Sequence, residues 1–256
     1  MKPNALIDVG SGPAVLFCHG ALMDSSMFVR QIDHLKARYR CIAYDLRPFQ
    51  LASYSLSDLV DDCLSRMEEL GIRRFVLAGL SMGGFLGIEL ARRSPERLAG
   101  LVLMDTMATD YNTEERAVFT EMFEPLDADG MLPASFINSF VPVIFSQKAE
   151  DEQPELVARW THKWASLPAR SILNEHRAWV AKEDYVPWLP EIEIPTLILH
   201  GLQDRGILFH HAEVLRSGIP GATLVAFQDS GHVITEEVPE QVNQALLDFL
   251  SGLSEW

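Results

Sequence analysis

The run Phe75-Val76-Leu77-Ala78-Gly79-Leu80-Ser81-Met82-Gly83-Gly84 places a short apolar strand directly before a glycine-flanked serine. A helical pattern then continues to about Arg93. Gly79-Leu80-Ser81-Met82-Gly83 fits G-x-S-x-G, in which a serine sits on a tight strand-to-helix turn with its hydroxyl above a sheet. So tight a turn brings backbone against backbone, so the positions two before and two after the serine call for glycine. The free N–H groups at the start of the following helix favour negative charge developing beside the hydroxyl. Outside that context the pentapeptide is only a glycine-rich turn.

The rest of the chain repeats the strand–helix alternation. Ala14–Cys18, Cys41–Tyr44, Leu101–Met104, Thr196–His200 and Thr223–Phe227 read as strands. Ser57–Leu70 reads as a helix, with Leu59, Val60, Cys63, Leu64 and Met67 at helical spacing and Gly71 as its stop. Val242, Ala245, Leu246, Phe249 and Leu250 stripe a closing helix. Nearly all-apolar strands alternating with helices predict a parallel sheet covered on both faces. The alternation breaks between Met107 and Pro190, a helix-like stretch interrupted by seven prolines and carrying Trp160, Trp164, Trp179 and Trp188. It reads as an inserted helical lid, with residues 1–106 and 191–256 as the core and 107–190 as the lid.

A serine needs a base to take its proton. Gly231-His232 follows the strand Thr223–Phe227, where a late-chain histidine can serve; otherwise it is a surface-loop residue. Asp204 follows the strand Thr196–His200 and precedes His232. Ser…Asp…His is the chain order this architecture uses, and the carboxylate would orient the imidazole. Asp204 as a turn or capping residue is the plain alternative. Asp105 is the reserve acid, and Asp229 reads as a turn cap. The oxyanion needs two N–H donors. Met82, directly after the serine, offers one. Ala21, after the strand Ala14–Cys18, offers the other, with His19 shaping that loop. Leu22, Phe140, Trp160 and Trp164 are the candidate pocket residues. Phe119, Phe123, Phe136, Phe145 and Trp179 either line the pocket as well or only pack the lid.

The 36 acidic against 21 Lys and Arg residues give a formal net charge of −15. Such a chain repels phosphate backbones and anionic lipid, so neither nucleic acid nor membrane is an expected partner. Cys18, Cys41 and Cys63 form no CxxC pair and read as buried thiols of a reducing compartment. No signal-peptide pattern is seen near Met1, and a cytoplasmic location is expected. His34, His162 and His176 sit in polar helical text, and the adjacent His210-His211 pair would diverge on a helix. No histidine or cysteine spacing suits a zinc site, so no metal and no cofactor are expected.

His19-Gly20, Asp45-Leu46-Arg47, Gly79–Gly84, Pro95-Glu96-Arg97, His200–Asp204 and Gly231-His232 together resemble the α/β-hydrolase superfamily. The nearest branch is the small esterases and enol-lactone hydrolases related to 3-oxoadipate enol-lactonase. That resemblance implies an α/β-hydrolase fold: a mostly parallel central sheet flanked by helices, with a helical lid after the sixth strand. It implies Ser81, Asp204 and His232 as the triad, and a small ester or lactone as substrate of a monomer or homodimer. Two departures stand out. Arg47 is followed by Pro48-Phe49-Gln50-Leu51-Ala52 instead of a Gly-His-Gly-like turn. Only about ten residues precede Gly10-Ser11-Gly12-Pro13, so the first edge strand should be short or missing. Carbon–carbon bond hydrolases and cofactor-free haloperoxidases or perhydrolases resemble the same triad. A ligand sensor with a slow triad is the rival outside enzymology.

Overall fold

The computed structural model describes residues 6–46 and 52–254. Its core is a seven-stranded sheet in the order β1-β3-β2-β4-β5-β6-β7. The strands are β1 (Ile7–Val9), β2 (Ala14–Cys18), β3 (Arg40–Ala43), β4 (Phe75–Leu80), β5 (Leu98–Met104), β6 (Thr196–Gly201) and β7 (Thr223–Phe227). All neighbours run parallel except β1, which pairs antiparallel with β3. β2, β4, β5 and β6 are buried along their whole length, as expected of strands covered on both faces. The far edge, β7, is largely exposed and keeps only Phe227 buried. The opening edge is a single three-residue strand, short as the sequence predicts. Counted along this chain, the lid therefore follows the fifth strand and not the sixth, because one strand stands where an opening hairpin would supply two.

The helices of the core are α1 (Val29–Leu35), α2 (Leu56–Glu69) and α3 (Met82–Arg93). Between β5 and β6 the chain forms α4 (Thr113–Phe123), α5 (Ala134–Ile144), α6 (Gln147–Glu152), α7 (Pro154–Trp164) and α8 (Ala169–Val180). It closes with α9 (His210–Gly218), α10 (Ile234–Glu237) and α11 (Pro239–Gly252). Ser55 starts α2 with a capping box completed by Asp58. α3 lies against Leu77, Leu101 and Leu103, while α11 lies over Gly100 with Phe249 and Leu253. Residues 100 and 101 point to opposite faces of β5, so the two helices cover the sheet from both sides. Cys18, Cys41 and Cys63 are buried and unpaired. Among the described residues no helix is long and apolar enough to cross a membrane. The stretch Arg47–Leu51, where the chain departs from the family turn, lies outside the described residues.

Buried carboxylates tie the helices inserted between β5 and β6 to the core. Glu237 of α10 accepts the Ser146 hydroxyl at 2.5 Å and the Gly231 N–H at 3.1 Å on Oε2, and the Ser146 N–H at 3.2 Å on Oε1. Glu236 accepts from Arg159 at 2.7 Å and from the Trp160 indole at 3.1 Å. The Ser146 hydroxyl also caps α6 by accepting the Ala149 N–H at 3.0 Å. Ser146→Ala removes the cap and leaves Glu237 short of a donor. It is expected to lower unfolding free energy by about 2–3 kcal/mol in urea denaturation.

Candidate active site

Ser81 stands between β4 and α3 with φ 54° and ψ −114°. A positive φ costs a residue with a Cβ of the order of 1–2 kcal/mol, and the surroundings hold it there. A Cβ on Gly79 would lie 2.1 Å from the Gly83 carbonyl oxygen, and one on Gly83 would lie 2.1 Å from the Cys18 carbonyl oxygen. The two glycines let strand, turn and helix meet backbone to backbone. The Ser81 N–H donates to Met104 O at 2.9 Å, and the Thr106 hydroxyl donates to Ser81 O at 2.8 Å. The turn is thus fastened to the neighbouring strand on both sides of the serine.

His232 lies on the loop between β7 and α10, and its Nδ1 is 2.7 Å from Asp204 Oδ2. Asp204, on the loop after β6, accepts the N–H groups of Gly206 and Ile207 on Oδ1 at 2.8 and 2.9 Å. Both oxygens are engaged, so the carboxylate cannot rotate away from His232. The His232 backbone N–H donates to Ile144 O at 3.0 Å, which secures the histidine loop to the end of α5.

Ala21, Ser81, Met82 and His232 line one cavity of about 490 Å³, counting the space that opens to solvent. Its remaining walls are Phe85, Tyr111, Phe119, Phe140, Trp179, Val143, Ile144, Gly206 and Ile207. Phe119 meets the Trp179 ring edge to face at 4.9 Å, and Tyr111 meets Phe119 in the same way at 5.4 Å. No Lys, Arg, Asp or Glu is among these described walls.

Of the four candidate pocket residues, only Phe140 lines the cavity. Leu22, Trp160 and Trp164 are buried beside it and do not. The two tryptophans turn their indole N–H groups to fixed acceptors, Glu236 at 3.1 Å and Leu22 O at 2.8 Å. Those bonds draw the rings into the lid–core seam. Tyr111 and Phe85 escape sequence reading, although Phe85 lies one helical turn beyond Ser81 and so shares its side of α3.

Both ring nitrogens of His19 are taken up by backbone groups. Its Nε2 accepts the Leu46 N–H at 2.7 Å, which puts the proton on Nδ1, and Nδ1 donates to Gly20 O at 2.8 Å. Burial lowers its pKa and keeps it neutral. His176 is buried, contrary to its polar helical text, and stacks on Phe123 at 4.1 Å. His210 and His211, expected to diverge, bring their rings to 3.9 Å. They sit in the first turn of α9, where no preceding turn restricts their rotamers. Asp229 pairs with Lys148 at the surface at 3.0 Å.

Asp105, His200 and Asp204 form a buried group whose polar atoms lie within 4.8 Å of one another. Asp105 Oδ1 accepts the Gly201 N–H at 2.8 Å, and His200 Nε2 donates to Ile207 O at 2.9 Å. The donors of Gly206, Ile207 and His232 already occupy Asp204. Desolvation first, and the nearby Asp204 charge second, push the Asp105 carboxyl well above the usual carboxylate range. Asp204, and not Asp105, is the acid that reaches His232.

A family model described as the alpha/beta hydrolase fold matches residues 13–239. The chain belongs to this family. An esterase from Thermogutta terrifontis superposes on the hydrolase with a TM-score of 0.90 at 29% identity, covering 97% of this chain and 93% of that one. The AB hydrolase superfamily protein YisY of Bacillus subtilis is 28% identical over 253 residues, 94% of this chain and 93% of its own length. The 3-oxoadipate enol-lactonase 1 of Acinetobacter baylyi is 26% identical over 247 residues, 95% and 90% of the two chains.

Because the folded pKa of Asp105 is raised, its stabilising contribution is complete below the ordinary carboxyl pKa. It is lost as pH rises towards the folded value. Asp105→Asn has no such loss. Melting temperatures taken from pH 5 to pH 9 should show the variant gaining on the wild type as pH rises. Gly83→Ala should cost about 3 kcal/mol or more, read in the same assay, since its Cβ meets backbone.

Proposed function

We propose that the hydrolase cleaves carboxylic esters or lactones of small, apolar substrates through an acyl-enzyme on Ser81. The observation that carries this is the convergence of Ser81, His232, Ala21 and Met82 on one apolar cavity, with Asp204 2.7 Å behind His232. Residues 107–190 serve as the lid that supplies much of its wall.

The Asp204 carboxylate occupies Nδ1 and leaves Nε2 of His232 to face the serine as the base. Ser81 Oγ attacks the acyl carbon and its proton passes to Nε2. The carbonyl electrons move onto an oxyanion held by the Ala21 and Met82 N–H groups. When the tetrahedral intermediate collapses, the alkoxide leaves with the proton from Nε2. Water then attacks the acyl-enzyme and gives its proton to His232; as this second intermediate collapses, His232 returns that proton to Ser81 Oγ and the acid departs.

The walls favour an uncharged substrate. A free carboxylate there would lose its hydration with no Lys or Arg among the described walls to offset it. The same feature speaks against a diketone acid as a carbon–carbon cleavage substrate. The likeness to an esterase and to an enol-lactonase supports the ester or lactone class.

Ser81→Ala should lower kcat on p-nitrophenyl butyrate by about 10⁴-fold or more, and Asp204→Asn by about 10³- to 10⁴-fold, with circular dichroism unchanged. Equal rates in wild type and Ser81→Ala would remove the esterase reading. Across acetate to octanoate esters the wild type should prefer short acyl chains. Trp179→Ala, which deletes a wall of the cavity, should move the optimum to longer ones.

A further inference from the structure

Ala21 sits in a turn that its own residues do not favour. Gly20 O accepts the Met23 N–H at 3.2 Å, which makes Ala21 and Leu22 the two inner residues. Leu22 has φ 63°. That is the left-handed conformation a type II turn requires at its third position, where glycine is the ordinary occupant. A leucine held there relaxes to negative φ unless something outside the turn restrains it.

The restraint comes from the lid. Glu175 of α8 accepts the Leu22 N–H on Oε2 at 2.9 Å, and Trp164 of α7 donates its indole N–H to Leu22 O at 2.8 Å. Both bonds are buried and reach across 153 and 142 residues of chain. The peptide groups on either side of Leu22 are thus each gripped by a lid helix. Glu175 is only 7% exposed, and among the described residues it makes no ion pair. Burial pushes its carboxyl up to about 7, and the Leu22 N–H is what draws it back. An unpaired carboxyl in such a place is unfavourable, and an apolar side chain of equal size would pack there without that penalty.

We infer that Glu175 is a positioning residue of the oxyanion hole, holding Leu22 left-handed so that the Ala21 N–H keeps its aim into the cavity beside Ser81. The inference rests on the reading of Ser81, Ala21 and Met82 given above. It makes the lid part of the machinery that stabilises the transition state as well as a wall of the pocket. The hole is complete only when α7 and α8 are seated on the turn.

Steady-state kinetics on p-nitrophenyl butyrate test this, together with inhibition by a butylboronic acid, whose tetrahedral adduct places an oxygen in the hole. Glu175→Met keeps the reach of the side chain and removes the acceptor. It should lower kcat about 10- to 100-fold with KM within about twofold, and weaken boronate inhibition in proportion. Glu175→Gln, which retains an acceptor oxygen, should recover most of the loss. If Glu175→Met does not fold, Glu175→Asp decides, since its carboxylate falls one methylene short of Leu22 and should show the same selective fall in kcat. Wild-type kcat and boronate affinity in the Met or Asp variant would overturn the inference, as would a rise in KM alone. Ser81→Ala separates the two readings. If its turnover equals wild type, the assignment of the site fails. If turnover depends on Ser81 but not on Glu175, only the role of Glu175 fails.

Discussion

The contact on which this structure depends is backbone against backbone at the serine turn. Ser81 holds a positive φ because β4 and α3 meet at Gly79 and Gly83 and because Gly83 lies against the Cys18 carbonyl of β2. That contact requires the strands to stack in their order and requires α3 to start at Met82. The Ser81 hydroxyl is thereby lifted to the end of the sheet where the loops after β2, β6 and β7 also arrive. A ligand site at the carboxyl ends of parallel strands is the general outcome of such sheets. Here it is enforced by two positions with no room for a methyl group.

The second organising feature is the set of buried acids in the seam between lid and core. Glu175 holds the turn that carries Ala21, Glu236 holds Trp160 and Arg159, and Glu237 holds Ser146 and Gly231. Burial raises the pKa of all three. Gly231 immediately precedes His232, and the His232 N–H is bonded to the lid at Ile144. The lid therefore grips both the histidine loop and the Ala21 loop. This arrangement places cavity walls and the supports of the Ala21 and His232 loops on the same inserted segment. It also explains why an unpaired carboxyl such as Glu175 has a place in an apolar seam.

Much of this was legible in the chain. Ala14–Cys18 and Thr223–Phe227 emerge with the boundaries read from their apolar runs, and α2 differs by one residue at each end. The proximity of Asp204 to His232 follows from chain order and strand position. What escaped reading is mostly what rings and long side chains do. Trp160 and Trp164 share the composition of a pocket wall, yet their indole N–H groups are drawn to Glu236 and Leu22, away from the cavity. Tyr111 lines it from a segment with no motif to mark it, and Phe85 from the turn of α3 just beyond the serine motif. Asp105, the reserve acid, proves fully buried with its carboxyl pushed upward, a property of its surroundings that no residue near it in sequence announces.

The sequence by itself determined the parallel sheet, the serine turn, the order of the three candidate triad residues and the stretch where the strand–helix alternation breaks. These rest on local requirements: apolar runs for buried strands, glycines where backbones touch, and a polar residue at each strand end. The tertiary structure alone decided which aromatic residues face the cavity, which of two carboxyls reaches His232, and which residue of α8 accepts the Leu22 N–H. Those outcomes depend on groups far apart in the chain sharing one desolvated volume, where a single hydrogen bond to a partner 153 residues away sets an orientation that neighbouring residues do not.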